Sequence, residues 1–188
     1  METILTITDL TRMSGSRVCV VGINQEGRCI RLQLANGIME DWLYEHGQVI
    51  ICPFEQVRFD LQEPRPKPPH TEDYSIRPDY KQVLQVLGSN QRRQLLEGIL
   101  DPNVAFIFGT DIHHDNGYFV TSGQGVRSLG TVHVRGIVRV SVKLVYNKWD
   151  YRIIFYDSVG FCYSLGVTDL TFRYYVDDLR LRHHMDAV

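Results

Sequence analysis

Residues 131–146, TVHVRGIVRVSVKLVY, constrain the fold more than any other part of the chain. Val132, Val134, Val138, Val140, Val142 and Leu144 fall on one side, and His133, Arg135, Ile137, Arg139, Ser141 and Lys143 on the other. A period of two sustained over that length predicts a β-strand at 132–145, with one apolar and one wetted face. It exceeds the usual strand length of about 5–6 residues. Gly136 offers a place to bend, as closing a small barrel requires.

Other segments share the period. ILTITD alternates, and so does RVCVVGI, which leads through NQEG into RCIRLQL. Asn24 to Gly27 supply turn chemistry, so residues 17–34 read as a hairpin. GIMEDWLYEHG reads as a loop or short helical turn. QVIICPFEQVRFDLQ reads as one or two strands, with Pro53 at a bulge or edge because it cannot donate to a ladder. In EPRPKPPHTEDY, four prolines (Pro64, Pro66, Pro68, Pro69) predict an extended, ordered strap rather than a loose linker. Residues 79–100 have helical spacing at Val83, Leu84 and Leu87, then at Leu95, Leu96 and Ile99. Asp79 and Asn90 are the candidate N-caps. NVAFIFGT reads as a buried strand. HHDNGYFV holds an Asn116-Gly117 hairpin turn, and YRIIFYDSVGFCYSL a second hairpin turning at Asp157–Gly160. The C-terminal TDLTFRYYVDDLRLRHH predicts a helix capped by Thr168 or Asp169. Its basic final turn (Arg180, Arg182, His183, His184) suits the negative end of the helix dipole. The tetrapeptide TDLT occurs at both 8–11 and 168–171.

Hydrophobic residues make up 44% and charged residues 22% of the 188, which excludes wholesale disorder. No apolar run is long enough to cross a membrane as a helix. The start, METILTITDL, lacks the basic-then-apolar order of a secretory leader, so a cytoplasmic protein is expected. Cys19, Cys29, Cys52 and Cys162 show no CxxC spacing and are expected to be reduced, mostly buried thiols.

Net charge is −2, so a nucleic-acid role would need a local basic patch. Residues 127–152 carry Arg127, Arg135, Arg139, Lys143, Lys148 and Arg152 against Asp150 alone. Residues 12–31 carry Arg12, Arg17, Arg28 and Arg31 against Glu26, whereas 97–126 carry four acids and no base. Arg135, Arg139 and Lys143 recur every four residues, a row with steps of roughly 13 Å that could follow a phosphate backbone. The alternative is an ordinary solvated sheet face. Arg12 and Arg17 flank a Ser-Gly-Ser loop that is not a phosphate-binding P-loop. Among the aromatic residues, Tyr146, Trp149 and Tyr151 lie beside the basic strand as candidate stacking platforms. His70, Glu72 and Asp73, with His113, His114 and Asp115, contain metal-ligating types. Local caps at 70–73 and an exposed loop at 113–115 explain both clusters better than a metal site does. No nucleophile motif is present, so no catalytic residue, metal or cofactor is assigned.

ILTITDLTRMSGSRVCVVGI, GRCIRLQL, PKPPHTEDY and YRIIFYDSVGFCYSLGVTDLTFRYY, in that order, resemble the dual OB-containing domain family of bacteria, whose members are often encoded among prokaryotic defence genes. The matching positions are Thr8, Asp9, Arg12, Arg17, Gly22, Cys29, Ile30, Arg31, Pro69, His70, Thr71, Glu72 and Asp73. Leu32 stands where a proline is usual. The resemblance implies a mainly β protein with a few helices (α+β), built of two small OB-like β-barrels. The expected divisions are an N-terminal OB-like barrel portion at 1–63, a Pro-rich strap at 64–78, a helical segment at 79–101, and a second barrel with a C-terminal helix at 102–188. It also implies a non-catalytic subunit that binds nucleic acid, DNA or RNA and preferably single-stranded, in a defence-type assembly with partner proteins. The expected contacts are Arg12, Arg17, Arg28, Arg31, Arg135, Arg139, Lys143, Lys148, Trp149 and Arg152. The alternatives are a protein-binding adaptor and a metal-dependent nuclease using His70, Glu72 and Asp73.

Overall fold

A computed structural model describes residues 1–183. The alternating N-terminal segments form β1 (Glu2–Arg12), β2 (Arg17–Asn24) and β3 (Cys29–Gln33). The Asn24 side chain fixes the turn between the last two by accepting the N–H groups of Glu26 and Arg28 at 3.0 and 2.8 Å. β3 runs on through Leu32, which is buried. Next come β4 (Ile38–Met39), a 3-10 turn (Glu40–Leu43), β5 (Tyr44–Glu45) and β6 (Gln48–Val49). The long strands β7 (Glu55–Pro64) and β8 (Asp73–Val86) follow.

These strands close on themselves in the order β1-β2-β3-β8-β7-β1, with β3 and β8 parallel and the other pairs antiparallel. This is the five-stranded Greek-key barrel of the OB type. Closure depends on β1, which pairs with β2 and β7 at once and carries a bulge between Ile7 and Asp9. Gly22 lets the two strands approach there, since a Cβ would sit 2.8 Å from the Thr6 carbonyl oxygen. Inside lie Leu5, Ile7, Val18, Val20, Ile30, Leu32, Val57, Phe59 and Ile76, with Ile38, Leu43 and Ile51 packed against them.

Two sequence expectations change at β8. Residues 79–87 are not a helix and Asp79 caps nothing, because the segment pairs with β7 through Val86. A spacing of i, i+1, i+4 fits either state, and an available β7 edge decides it. Pro78 cannot donate to the ladder, and the register shifts around it. The Pro-rich segment is therefore the turn joining the fourth and fifth barrel strands, rather than a strap that follows the barrel. It is ordered: Lys67 and His70 exchange backbone hydrogen bonds at 3.0 and 2.7 Å.

The helix α1 (Ser89–Gly98) starts with Gly88 as its cap, so Asn90 lies in its first turn instead. β9 (Leu100–Asp101) leads to α2 (Val104–Phe108), which replaces the expected strand. Asn103 caps it by accepting the Phe106 N–H at 3.0 Å, and Gly109 ends it in the left-handed region. β10 (His113–His114) and β11 (Tyr118–Phe119) pair around Asn116-Gly117 as expected. β12 (Thr131–Val132) runs parallel to β9.

β13 (Gly136–Val145), β14 (Lys148–Tyr156) and β15 (Cys162–Gly166) form an antiparallel meander. Asp157 organises the second turn by accepting the N–H groups of Val159 and Phe161. The long strand of the sequence reading is thus split: its first residues pair with β9, and β13 starts at Gly136. Among the described residues no second closed barrel forms, because β13 pairs only with β14. The valine row is mostly in water, with Val140 43% and Leu144 53% exposed and only Val142 buried.

Helix α3 (Leu170–His183) begins at Asp169, whose carboxylate accepts the Phe172 N–H at 2.6 Å. His184, expected in its basic last turn, lies outside the described residues. Leu170 enters the barrel core, whereas Val176 packs on Val142 and Tyr151, so α3 belongs to both halves. The two TDLT copies differ in structure, one in β1 and one at the start of α3. They meet, however: Thr11 and Asp169 form a bridge, and the Arg12 N–H donates to the Thr168 carbonyl at 2.7 Å. Among the described residues no helix is long and apolar enough to cross a membrane.

Candidate nucleic-acid interface

On the outer face of β2 and β3, side chains alternate with those of the barrel core. Arg17, Cys19, Val21 and Ile23 point outward from one strand, and Cys29, Arg31 and Gln33 from the other. Val21 and Ile23 are nonetheless buried. Leu100, Arg127, Leu129 and Gly130 share a cavity with Ile23 and Cys29, so the second half of the chain covers that end of the face. Burial there pushes the Cys29 thiol up to about 12, with Glu72 adding to the shift. The other end is open. A polar groove of about 700 Å³ runs past Met13, Arg17, Cys19, Arg31, Gln33, Asn36 and His70. It lies between the β1–β2 turn and the Pro-rich turn, the position where OB barrels present their ligand face.

The arginines around this groove divide sharply. Arg12 is a latch: Nη1 donates to Glu40 Oε2 at 2.5 Å and Nη2 to the Tyr174 hydroxyl of α3 at 2.8 Å. Arg31 grips Asp73 with two hydrogen bonds of 2.6 and 2.8 Å, tying β3 to β8 in a largely buried pair. Arg28 sits at the hairpin tip beside Glu26, 3.0 Å away and exposed. Arg17 is exposed, lays its alkyl chain against Gly37, and makes no ion pair among the described residues.

The second basic group divides as well. The register sets Arg139 opposite Ile154, Ser141 opposite Arg152 and Lys143 opposite Asp150, which puts Arg139, Lys143 and Arg152 on one face of the meander. Arg152 is 3.4 Å from Asp150 and also donates to Ser164. Arg139, Lys143 and Lys148 are exposed and unpaired among the described residues. Arg135 is out of line with this row. It precedes β13, and the register shift between Ile137 and Arg139 breaks the alternation that would align it. Trp149 is not an open platform, because Arg180 of α3 lies 3.8 Å from its ring centroid. Tyr151 is buried, with its hydroxyl donating to Asp177 at 2.5 Å and Arg173 over its ring. Tyr146 alone of the three stands free, 97% exposed at the β13–β14 turn.

The HTED segment commits all four side chains to partners within the protein. Glu72 is buried and accepts from the Ser128 hydroxyl and N–H. His70 Nδ1 lies 2.7 Å from Ser128 Oγ, Thr71 donates to the Val126 carbonyl at 2.5 Å, and Asp73 holds Arg31. Since Ser128 donates to Glu72, its oxygen is left to accept from His70, so Nδ1 carries the proton. Among the described residues no group of three His, Cys, Asp or Glu side chains could hold a metal ion. The segment clasps residues 126–128 onto the barrel. Beside it, Arg127 pairs with buried Asp101 and donates through Nε to the Ile107 carbonyl at 3.0 Å. Sequence reasoning missed this junction, although the available signal was the acidic block facing the basic one. Three cysteines are partly buried; Cys162 is exposed, contrary to expectation.

A closed barrel in this strand order, with an open groove over its second and third strands, defines an OB-type binding module. The chain belongs to the dual OB-containing domain family, whose model matches residues 3–187. No curated protein and no solved structure matches it. Membership supports binding of nucleic acid or protein at a general level.

Proposed function

We propose that the protein is a non-catalytic module that binds nucleic acid, taking a single strand along the open end of the β2–β3 face. The observation that carries this reading is the polar groove with the free guanidinium of Arg17 on its wall. Arg139 and Lys143, on one face of the meander, serve as a second phosphate-contacting surface with Lys148 at its edge, whereas Arg152 on the same face is engaged by Asp150. The net charge of −2 opposes long-range attraction, so binding is weak and local. The family resemblance supports a place in a cytoplasmic, prokaryotic defence-type assembly. His70, Glu72 and Asp73 are committed to Ser128 and Arg31, which argues against their acting as nuclease ligands. A gel-shift panel of single- and double-stranded DNA and RNA at two salt concentrations tests the proposal. Single strands should be retained at low salt and released at high salt; a folded protein retaining no oligonucleotide would refute it.

One observation favours the adaptor reading. Among the described residues β13 is a sheet edge with no strand on its outer side, Ile137 and Val138 more than half exposed at its start and the free ring of Tyr146 just past its far end. Such an edge accepts an added strand. On that reading Ile137→Lys abolishes partner capture and leaves oligonucleotide behaviour unchanged.

A further inference from the structure

The polar groove has cations and amides but no Phe, Tyr or Trp along its lining. Proteins that hold single strands combine a cationic track with aromatic faces on which bases stack. The missing half lies next door. An open apolar cavity of about 570 Å³ is lined by Pro69, His70, Phe108, Tyr118, Phe119 and Tyr163, contributed by the Pro-rich turn, α2, the β10–β11 hairpin and β15. Its volume is within the ~300–1,000 Å³ of small-molecule sites. His70 lines both cavities, so they share a wall.

We propose that this cavity receives one base of a strand whose phosphates lie in the groove; the inference rests on the single-strand reading above. The aromatic residues suit a base. Tyr118 and Tyr163 meet at 55° with centroids 5.2 Å apart, so they wall the cavity rather than stacking flat on each other. Phe119 is 49% exposed at its place on the lining, a large apolar ring left in contact with water. The polar groups suit a nucleotide. Nδ1 of His70 is engaged with Ser128, which leaves Nε2 as the ring atom for a base edge. Lys67 lines the cavity and makes no ion pair among the described residues. Lys67 on one side and Arg17 on the other favour an occupant that carries phosphate over an apolar peptide side chain.

The test compares a 12-nucleotide oligothymidine with an abasic strand of equal length and charge, and uses two variants at exposed positions. Phe119→Ala removes a wall, and Ser122→Trp fills the space. Wild type should hold the base-bearing strand about tenfold more tightly, in line with the ~1–3 kcal/mol of one stacked base. Both variants should lose that preference, whereas Arg17→Ala should weaken both strands equally and keep it. Equal affinities in wild type, or a preference that survives in both variants, overturns the proposal. Saturation-transfer NMR with thymidine monophosphate separates it from the groove reading. A signal abolished by Ser122→Trp, with no strand retained, means that the groove fails and the cavity stands. Absence of both overturns the cavity.

Discussion

Asp101 ties β9 to residues 127–131 within the half of the chain that follows the barrel, and removing its charge should loosen that half selectively. Its carboxylate takes the Arg127 guanidinium and the Thr131 N–H in a buried position. Asp101→Asn keeps the shape and leaves Arg127 without a counter-charge. Breaking a fully buried pair costs about 3–5 kcal/mol. Arg127 keeps 33% of its side-chain exposure and recovers some hydration, which brings the expected loss to about 2–3 kcal/mol. With a urea slope of about 2 kcal/mol/M, the midpoint falls by about 1–1.5 M. Trp42 lies against Phe59 of the barrel and Trp149 against α3, so Trp42→Phe and Trp149→Phe backgrounds report each half by fluorescence. The full shift should appear in the Trp149 signal. Adding Arg127→Met should restore at least half of the loss, since no lone charge then remains. A shift below about 0.3 M on that scale, or a double variant no better than Asp101→Asn, would refute the reasoning.

Other expectations follow from local features. At pH 8 dithiobis(nitrobenzoate) should modify one thiol quickly, Cys162, and Cys162→Ser should abolish that phase. Burial pushes the Cys19, Cys29 and Cys52 thiols up, so these three should react only after denaturation. The two-residue turn Tyr146-Asn147 has φ of 47° and 60°, which favours Asn-Gly. Tyr146→Asn with Asn147→Gly should therefore raise the melting temperature by about 2–4 °C, for ~1 kcal/mol of relieved strain; an unchanged or lower value in calorimetry contradicts this.

What the sequence made legible was what local chemistry decides. The 17–34 hairpin, the Asn116-Gly117 turn and the Asp169 cap each depend on residues a few positions apart. Residues 79–87 and 104–108 depart from the sequence expectation because short apolar runs suit either state. A β7 edge settled the first as strand, and Asn103 with Gly109 settled the second as helix. In β13 the alternation does mark a strand, but its apolar row is not core. As an edge strand it meets α3 around Val142, and the rest of the row stays wet. Alternation reports which residues share a face; whether a partner covers that face is a tertiary fact.

The candidate site illustrates the same limit, because a charge count does not say which charges are spent inside the fold. Arg12, Arg31 and Arg127 were indistinguishable by sequence from Arg17 and Arg139, yet their guanidinium groups hold Glu40, Asp73 and Asp101. A cation already neutralised by a protein carboxylate releases no counterions from a nucleic acid. The salt dependence of oligonucleotide binding should therefore sort the arginines by function. On a single strand each neutralised phosphate contributes about −0.7 to the log–log slope. Arg139→Ala with Lys143→Ala should make the slope less steep by about 1.4, and adding Arg135→Ala should change it little, since Arg135 lies off their face. Arg17→Ala should remove about 0.7. Arg31→Met should leave the slope unaltered and instead lower stability, because Asp73 loses the partner that ties β3 to β8. Filter binding across a salt series, paired with urea unfolding, gives both quantities for each variant. A loss of slope in Arg31→Met equal to that in Arg17→Ala would mean that Asp73 releases Arg31 to the nucleic acid, and the division between latches and contacts would fail.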